Sequence, residues 1–497
     1  MIRRYSPFVM LFDLGKLVRN SLIFVFYLYV LKTGSAAFNT YGRVIFLIVV
    51  GLTFFSIIYK WFTHKYKLDH QAFYLYKGLF NKSERTIPFS KIQNIHRHTS
   101  LIHRIFHLTS VRFETAMTDE NANIKFEVIS QTEAKRIEAH LKSVDQEIEE
   151  QDHEFDDSEV DVEHPKLNRT IHFQATKKDI LKASFSSLSF LVLIPLVGSF
   201  YYKINDVFHV EGTAQGFFEK LISSWWIMTI IVIVLVIASA TFGGVRTYLK
   251  YGKYEISSDS NLIFITRGVI DETAFSISKE KVQAIEITQS LMKRLLGLAE
   301  VKLTSAGTLR SEEDTLEVNT LYPFLPVNKA YKMISEILPS YEITQKMNRL
   351  PKKSLWVRLL RPSWLWIITT GVLYYFKPTI LDVKQAWMTL SAILLICIVV
   401  SRWLNFLHTR YVINDQFIQF KEGALTTSLF LSKREKVIEV KVTRNLIQKM
   451  LGLASIGTIN RGRPVHHSGI NDIPVALATT LFKWYMKRNN EIRVEHF

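Results

Sequence analysis

The sequence has a single cysteine, Cys397, inside the apolar stretch LLICIVV. One thiol cannot form an internal disulfide, which excludes a disulfide-stabilised secreted scaffold, and a free Cys in such surroundings usually acts as a small hydrophobe. The sequence also lacks the motifs GxxxxGK[ST], GxGxxG, HExxH and GxSxG, which bind phosphates or dinucleotides or carry out hydrolysis. We therefore predict that the chain is not an enzyme and holds no cofactor.

Ionisable residues are missing from the centres of six apolar runs, which form three close pairs. The runs begin at Ser21, Val44, Phe185, Ser223, Ser363 and Ala386. A bilayer core needs about 20 apolar residues, which the second, third and fourth runs supply. The first, fifth and sixth become long enough if Lys32 and Arg402 extend their charged ends to the interface, and a buried globular helix is the alternative for each of these three. The pairs predict three transmembrane hairpins, and transport stays an unsupported alternative because a transporter would place ionisable groups within its spans.

Lys and Arg are abundant beside the hairpins and sparse in the loops within them, which hold two each. These loop residues are Lys32 and Arg43, Lys203 and Lys220, and Lys377 and Lys384. Basic residues concentrate on the cytoplasmic side of membrane proteins. We therefore predict a multi-pass protein of the cell membrane whose two termini and hydrophilic segments are cytoplasmic.

The net charge of +17 is unevenly distributed. Residues 143–164 contain eleven acidic and no basic residues, which leaves 62 basic against 34 acidic residues elsewhere, a surplus of +28. Self-repulsion predicts that the acidic segment is a disordered linker. The basic residues follow the membrane ends, which favours an anionic membrane surface over nucleic acid as their partner.

Three hydrophilic segments share one spacing, counted from Gly78, Gly268 and Gly423. A Lys follows thirteen residues after the Gly in each copy, and apolar matches continue without a gap up to 28 residues after it. The second and third copies also share a Gly at 29 and at 39 residues after the first one. The motif positions are Gly78, Gly268, Gly423, Lys91, Lys281, Lys436, Leu291, Leu446, Gly297, Gly452, Gly307 and Gly462. Such regular self-similarity indicates an internal repeat.

Two copies repeat the phrase SLMKRLLGL or NLIQKMLGL. Ser290 and Asn445 suit a helix N-cap, and Gly297 suits a left-handed residue that ends a helix. We predict a two-turn helix whose apolar face, with Leu291 and Leu295 four residues apart, covers the end of a sheet. The first copy has His107 instead of Gly, which predicts a looser end to its helix.

Strand–turn–strand patterns surround the phrase, and each copy ends in a helical pattern. We predict an α+β membrane protein in which three antiparallel β-sandwich or barrel domains, each closed by a C-terminal helix, alternate with three transmembrane α-hairpins. The predicted segments are tail and hairpin 1 (1–62), domain 1 (63–142), acidic linker (143–170), hairpin 2 (171–247), domain 2 (248–340), basic linker (341–361), hairpin 3 (362–407) and domain 3 (408–497).

The stretch KVQAIEITQSLMKRLLGLAEVKLTSAG resembles the core motif of bacterial pleckstrin-homology-like (PH-like) domains of type 2, formerly a domain of unknown function. Three such domains alternating with hairpins are similar to the YdbT-like family of bacterial membrane proteins. The resemblance implies two nearly orthogonal antiparallel sheets closed by a helix, a plasma-membrane location and often a smaller one-domain PH-like membrane partner. It brings no catalytic residues, and the first copy departs from the motif at His107 and Met117.

Four histidines in HRHTSLIHRIFH are the best metal candidates, namely His96, His98, His103 and His107. The last two have the i, i+4 spacing of a zinc pair, but arginines lie among them and no carboxylate or Cys is adjacent. We therefore predict a basic, partly solvated face and no metal site.

Basic residues near the bilayer are candidates to contact lipid headgroups at about 1 kcal/mol each. They are Lys91, Arg97, Arg104, Lys281, Lys293, Arg294, Lys433, Arg434 and Lys436. Positive-inside topology alone is the competing explanation. We predict an assembly or recognition scaffold, with a family-level role in envelope-stress or antimicrobial-compound protection, and the alternatives are an anionic-lipid sensor or a membrane transport component. Predicted partners are membrane lipids, a smaller one-domain relative and further copies of the chain, without nucleic acid.

Overall fold

The computed structural model of the chain describes residues 2–31, 36–69, 71–78, 82–89, 92–115, 124–138, 169–186, 225–305, 320–377, 385–462 and 465–487. These residues fall into two compact units. The first comprises Met1–Asn168 with Ile270–Ser276, and the second comprises Arg169–Val269 with Ile277–Phe497. The predicted acidic linker lies outside the described residues, apart from its last two positions.

The first unit is built from antiparallel strands and four helices among its described residues. Its strands are β1 (Ile2–Arg4), β2 (Lys65–Leu68), β3 (Ala72–Lys77), β4 (Ser83–Pro88), β5 (Ile92–Thr99), β6 (Leu108–Thr115) and β7 (Ile124–Ser130). Its helices are α1 (Phe8–Val25), which continues as a π-helical segment (Phe26–Leu31), α2 (Ala36–Thr63), α3 (Leu101–Ile105) and α4 (131–138). One sheet has the order β1-β2-β3-β4, and β7-β6-β5 form the other.

The core of the first unit joins both sheets and the last helix. It contains Phe73 and Leu75 from β3, Phe113 from β6, Phe126 from β7 and Ile137 from α4, and each of these side chains is at most 4 % exposed. Burial of one such side chain contributes about 1.5–3 kcal/mol. The two sheets therefore cover a common core that the helix closes, which is a sandwich arrangement.

The second unit contains the remaining elements. Its strands are β8 (Thr170–Gln174), β9 (Glu255–Ser258), β10 (Leu262–Arg267), β12 (Val282–Gln289), β13 (Leu298–Ser305), β14 (Thr320–Pro326), β15 (Asn348–Arg349), β16 (Arg410–Ile413), β17 (Phe417–Gly423), β18 (Thr427–Lys433), β19 (Val437–Thr443), β20 (Leu453–Asn460) and β21 (His466–Pro474). Strand β11 (Glu272–Ser278) lies for the most part in the first unit. The helices are α5 (Lys177–Ser186), α6 (Trp225–Tyr251), α7 (Leu291–Leu295), α8 (Val327–Ile337), α9 (Lys353–Leu360), α10 (Trp364–Phe376), α11 (Ala386–His408), α12 (Leu446–Leu451) and α13 (Val475–Met486).

The three sequence repeats produce the same order of elements, and we call each a module. Module 1 consists of β2–β7 with α3 and α4, module 2 of β9–β14 with α7 and α8, and module 3 of β16–β21 with α12 and α13. Within the second unit, one sheet has the order β14-β13-β12-β18-β17-β16-β15 and another the order β19-β20-β21. The core of module 3 repeats that of module 1, since Phe420 of β17, Ile456 of β20 and Leu481 of α13 are buried together. The predicted α+β class with antiparallel sheets is confirmed.

Two of the described helices are long and apolar enough to cross a bilayer. They are Thr40–Thr63 within α2 and Ala386–His408, which is α11. No residue in the apolar window of the first is buried, and only 6 % of the second window is. A core helix of a soluble protein would be mostly buried, so this exposure favours contact with lipid.

The prediction of six spanning helices is only partly met, because two of them are found among the described residues. Helix α6 covers the fourth apolar run, whereas nearly all of the third lies outside the described residues. Helix α10 has 13 residues, which extend about 20 Å against the roughly 30 Å of a bilayer core. The first run starts in α1, which carries Asp13 and Lys16, and continues as the π-helical segment.

Candidate functional site

The repeated phrase forms a short helix with the same backbone geometry in each module. The side chains of Ser100, Ser290 and Asn445 cap these helices and accept hydrogen bonds from backbone N–H groups at 3.4, 3.4 and 2.7 Å. His107, Gly297 and Gly452 follow in the left-handed region, with φ of 53°, 66° and 70°. His107 therefore takes the same conformation as the two glycines, at a cost that Gly avoids.

The left-handed residue also connects the short helix to the closing helix of its module. The carbonyl oxygens of His107, Gly297 and Gly452 accept hydrogen bonds from the first backbone N–H of α4, α8 and α13, at 3.2, 3.1 and 3.1 Å. The first N–H groups of a helix have no partner within it, so each of these bonds satisfies one of them. The phrase recurs because the same backbone junction is built three times.

The apolar face of the short helix does not cover a sheet. Leu295 is 75 % exposed, Leu446 79 % and Met450 86 %. The prediction that this face covers the end of a sheet is therefore wrong. A helix of five or six residues can pack only one of its sides against the module. In α12 the packed side carries Gln448, which is buried and donates a hydrogen bond from Nε2 to Ser455 Oγ at 2.8 Å, so the apolar residues lie on the other side.

Basic residues accompany these exposed apolar side chains. Lys449 lies beside Met450 and is exposed, and Arg444 precedes the helix. Exposed apolar residues next to Lys and Arg are typical of a surface that rests in a membrane interface. The tip of α12 is therefore a candidate lipid-contact surface.

The candidate headgroup residues of modules 1 and 2 already have partners within the protein. Arg97 Nη1 lies 4.0 Å from Glu138 Oε1, and Arg104 Nη2 lies 3.2 Å from Glu272 Oε2. Lys293 Nζ lies 2.7 Å from a carboxylate oxygen of Glu300, and Arg294 Nη2 donates to Thr427 Oγ1 at 2.8 Å. Lys91 lies outside the described residues. The carboxylate partners of Arg97, Arg104 and Lys293 reduce the charge that is available to a headgroup.

The remaining lysines of the predicted set, Lys281, Lys433 and Lys436, line a cavity of about 560 Å³ in the second unit together with Lys279. Lys279, Lys281, Lys433 and Lys436 lie on its wall with two carboxylates, Glu280 and Glu435, which leaves a net charge of +2. Burial lowers the pKa of Lys279 and of Lys433. The site suits an anionic group, since a nearby negative charge stabilises the charged form of partly buried ammonium groups. Arg434 is separate, because it is buried with its guanidinium 5.7 Å from the centre of the Trp484 ring.

The histidine group does not form a metal site among the described residues, which contain no cluster of three His, Cys, Asp or Glu placed to hold an ion. His103 is buried, and its ring nitrogens contact Ser100 Oγ at 2.6 Å and the Glu127 carbonyl oxygen at 3.2 Å. His96 stacks with Phe275 at 5.9 Å. The His103 ring thus supports the short helix of module 1.

A buried polar cluster joins module 3 to the end of the apolar helix α11. Arg358 of α9 and Asp472 of β21 are 7 % and 0 % exposed, and Arg358 Nε lies 3.3 Å from Asp472 Oδ2. Arg358 also donates to Asn405 Oδ1 and, at 2.8 Å, to Thr409 Oγ1. Gln448 Nε2 donates to Asp472 Oδ1 at 2.7 Å. Sequence reasoning missed this cluster, because no local pattern distinguishes a buried Arg from an exposed one.

Neighbouring repeats pair through the edge strands of their sheets. The third strand of module 2, β11, pairs with the fourth strand of module 1, β5, within the first unit. The third strand of module 3, β18, pairs with the fourth strand of module 2, β12, within the second unit.

The β11–β5 and β18–β12 pairs have the same register relative to the repeat. Arg97 lies opposite Ala274, and Ile287 lies opposite Leu429. Arg97 and Ile287 each come 19 residues after the first glycine of their repeat, and Ala274 and Leu429 each come six residues after theirs. The motif therefore encodes a joint between modules as well as the fold of each one.

These features define a class of protein: a chain with apolar spanning helices and repeated β-sandwich modules that are closed by a helix and joined through their sheet edges. The chain belongs to the bacterial PH domain family, whose profile matches residues 15–144, 192–340 and 367–489. The transmembrane protein YdbT of Bacillus subtilis (strain 168) is 25 % identical over 479 residues, which is 94 % of each chain. The predicted resemblance to the YdbT-like membrane proteins is confirmed. No solved structure matches the chain.

Proposed function

We propose that this membrane protein is a non-enzymatic scaffold that presents its PH-like modules at the cytoplasmic face of the cell membrane for assembly with other proteins. The observation that supports this most is the pairing of β11 with β5 and of β18 with β12 in one register. Strand addition at a sheet edge is a general mode of protein recognition. A module with this joint can link to a further module through backbone hydrogen bonds.

The scaffold proposal predicts a complex larger than one protomer. The test is to cross-link the intact chain in native membranes, extract it in mild detergent and measure the mass of the product. We expect a discrete species that contains the chain with further protein and that survives high salt, because sheet-edge bonds are not screened as surface charges are. A chain that remains a single protomer in the membrane and in detergent would overturn the proposal. A role in envelope-stress or antimicrobial-compound protection stays a prediction from the family resemblance.

A second candidate function is the sensing of anionic lipid, which the exposed tip of α12 favours. Among the described residues of module 3, Leu446 and Met450 have the most exposed large apolar side chains, and Lys449 lies between them in the sequence. We propose that this tip enters the headgroup region and that Lys449 adds about 1 kcal/mol in an anionic membrane. The lysine-lined cavity would hold a headgroup phosphate.

A fluorophore placed on the tip tests lipid contact. The variant Met450→Cys, made in a Cys397→Ser background, is labelled with a polarity-sensitive dye and placed in nanodiscs of phosphatidylcholine with and without phosphatidylglycerol. We expect a blue shift that grows with phosphatidylglycerol. Ser335→Cys, on the exposed side of α8, is the matched control and should not shift. Equal spectra at both positions would rule out the lipid-contact surface.

A further inference from the structure

Strand β19 of module 3 occupies the position that accepts a partner strand in the other two modules. It is the fourth strand of its repeat, as β5 and β12 are of theirs, and it ends the sheet order β19-β20-β21. Among the described residues β19 pairs with β20 and with no other strand. The strand edge that pairs with the next module in modules 1 and 2 is thus unpaired in module 3, among the described residues.

The side chains at this edge show the difference that a partner strand makes. Ile285 and Ile287 of β12 are 0 % and 4 % exposed, since Leu431 and Leu429 of β18 lie opposite them. The corresponding residues of β19 are Val440 and Val442, and Val442 is 41 % exposed. The same motif position therefore changes from buried to exposed where the partner strand is missing.

The bulge in β19, one of the features that can protect an edge strand, does not explain this opening. A bulge interrupts the pairing of β19 between Val437 and Glu439, and bulges are one means of blocking an edge. However, β12 has the same irregularity between Val282 and Ala284 and still pairs with β18. The bulge belongs to the repeat and does not prevent strand addition.

An apolar groove continues from this edge along the closing helix. Val440 and Val442 line it together with Val475 and Phe482 of α13, and its volume is about 330 Å³. Phe482 is 47 % exposed. A strand added to β19 would extend the sheet and place alternate side chains over this groove, because side chains on paired strands share a face.

We propose that β19 is the docking edge for the third strand of a PH-like module from a different protein chain, paired antiparallel in the register in which β12 holds β18. This inference rests on the proposed scaffold function and names the surface through which it acts. The incoming strand carries apolar residues opposite Val440 and Val442, as β18 carries Leu431 and Leu429 opposite Ile285 and Ile287.

A second copy of this chain fits the edge less well. Its module 1 would supply β4, and the shared register would place Arg85 opposite Lys441 and Glu84 opposite Val442. Like charges directly opposite each other destabilise a strand pair, and a carboxylate beside an exposed Val gains no apolar contact. The residues of β19 therefore favour a strand from another protein over a strand from a second copy.

The test uses the full chain in detergent with Cys397→Ser and a synthetic peptide probe. The probe is ALTTSLFLSKR, residues 424–434, because this segment already pairs with β12 in the proposed register. One probe carries Cys in place of Leu429 and the other in place of Leu431. Each is incubated with the Val442→Cys or the Val440→Cys chain under mild oxidation, and the rate of mixed-disulfide formation is measured.

We expect Val442→Cys to react at least about tenfold faster with the Leu429 probe and Val440→Cys with the Leu431 probe, because a disulfide needs the two Cβ atoms about 4 Å apart and only directly opposite residues meet this limit. Equal rates for all four combinations would overturn the proposal. Without added cysteines, Val442→Lys should weaken binding of a fluorescent probe at least about tenfold, since it replaces the apolar contact between Val442 and Leu429 of the probe by a charge that the added strand would desolvate. Leu425→Lys, outside the edge, is the matched control.

A third pair of variants tests the occupant. Copies carrying Thr86→Cys and Val440→Cys, which the shared register places opposite each other while Arg85 and Lys441 stay intact, are mixed, and efficient disulfide formation between them would overturn the proposal in favour of a second copy. The outcomes also separate this inference from the scaffold function. If large complexes form in the membrane but cross-linking is not register-specific, the scaffold acts through another surface. If cross-linking is register-specific but the chain is a single protomer in the membrane, the β19 edge can bind a strand and the scaffold function is wrong.

Discussion

Gly423 and Gly452 both have positive φ, of 119° and 70°, but their surroundings differ. A Cβ on Gly423 would lie 2.0 Å from the Thr426 carbonyl oxygen, whereas a Cβ on Gly452 would meet no atom within 4 Å. The first glycine is required by a close approach within the β17–β18 hairpin, and the second only by its backbone angle. The two costs can therefore be measured separately.

We expect Gly452→Ala to destabilise module 3 by about 1 kcal/mol and Gly423→Ala by at least about twice as much, because the second adds a clash with backbone to the unfavourable φ. Hydrogen exchange of the β17 and β18 amides in the solubilised chain measures the difference. His107→Gly is the reciprocal control and should slow exchange in module 1. Equal protection in both alanine variants would contradict the explanation.

The buried ion pair Arg358–Asp472 should contribute strongly to the stability of the folded chain. Asp472→Ala leaves Arg358 buried without its carboxylate, which should cost about 3–5 kcal/mol. The double variant with Arg358→Met should be less destabilised than the sum of the single changes, and the melting temperature of the solubilised chain reports each value. Arg361→Ala is the control, since Arg361 is half exposed and 3.9 Å from the same carboxylate, and it should cost less than about 1 kcal/mol. Strict additivity would contradict a direct coupling.

At the scale of elements, α1 is attached to module 1 by an ion pair and two aromatic contacts. Lys16 Nζ lies 2.5 Å from Glu127 Oε2 of β7. Phe8 and Phe12 lie 5.2 and 4.2 Å from the rings of Phe106 and His103. Burial alone would raise the pKa of Glu127, but its contacts with Lys16 and Lys125 outweigh burial and lower that pKa to about 2. The attachment of α1 therefore depends on an ionised Glu127.

This lowered pKa predicts how stability changes with pH. A carboxylate whose pKa is depressed in the folded state adds stability above its unfolded pKa, about 4.5, and loses it as the pH falls towards about 2. The melting temperature of the solubilised chain should thus exceed that of Glu127→Gln at pH near 6 and approach it as the pH falls through this window. Glu342→Gln, at an exposed position, is the control. A difference that is independent of pH would contradict the assignment.

The short helices show how far a local pattern can be interpreted. Ser290 predicts a cap and Gly297 a left-handed end, and both are found, since these preferences depend on atoms within a few residues. The packing of the same helix was predicted wrongly. Leu295 needs a neighbouring surface in order to be buried, and the sequence does not state whether that surface belongs to this chain, to another chain or to a membrane.

At the scale of the whole molecule, the positive-inside pattern makes the topology testable. Single cysteines at Gln385, beside the start of α11, and at Ser335 of α8 are placed in the Cys397→Ser background. We expect a membrane-impermeant thiol reagent to label Gln385→Cys in intact cells and to label Ser335→Cys only after lysis. Both positions are exposed, so access to solvent within the protein does not distinguish them. The reverse pattern would invert the proposed orientation.

The sequence by itself determined the repeat, its α+β content, the positions of its turns and caps and the family to which the chain belongs. These follow from alternation, spacing and backbone preferences that act over short distances, as the matching geometry at His107, Gly297 and Gly452 illustrates. Of the two helices long enough to span a bilayer, α2 was evident from length and composition, whereas the sequence left the sixth apolar run, which forms α11, open between a span and a buried helix.

Only the tertiary structure decided which strands meet and which side chains are covered. The hydrogen bond from Ser428 Oγ to Glu286 Oε1 joins residues 142 positions apart, and the Arg358–Asp472 pair joins residues 114 apart. No short-range preference selects such partners, because a strand edge presents the same backbone groups to any strand that reaches it. The pairing of strands between repeats and the unpaired edge at β19 therefore arise from the packing of the folded chain. The residues that form them are nevertheless part of the repeat in the sequence.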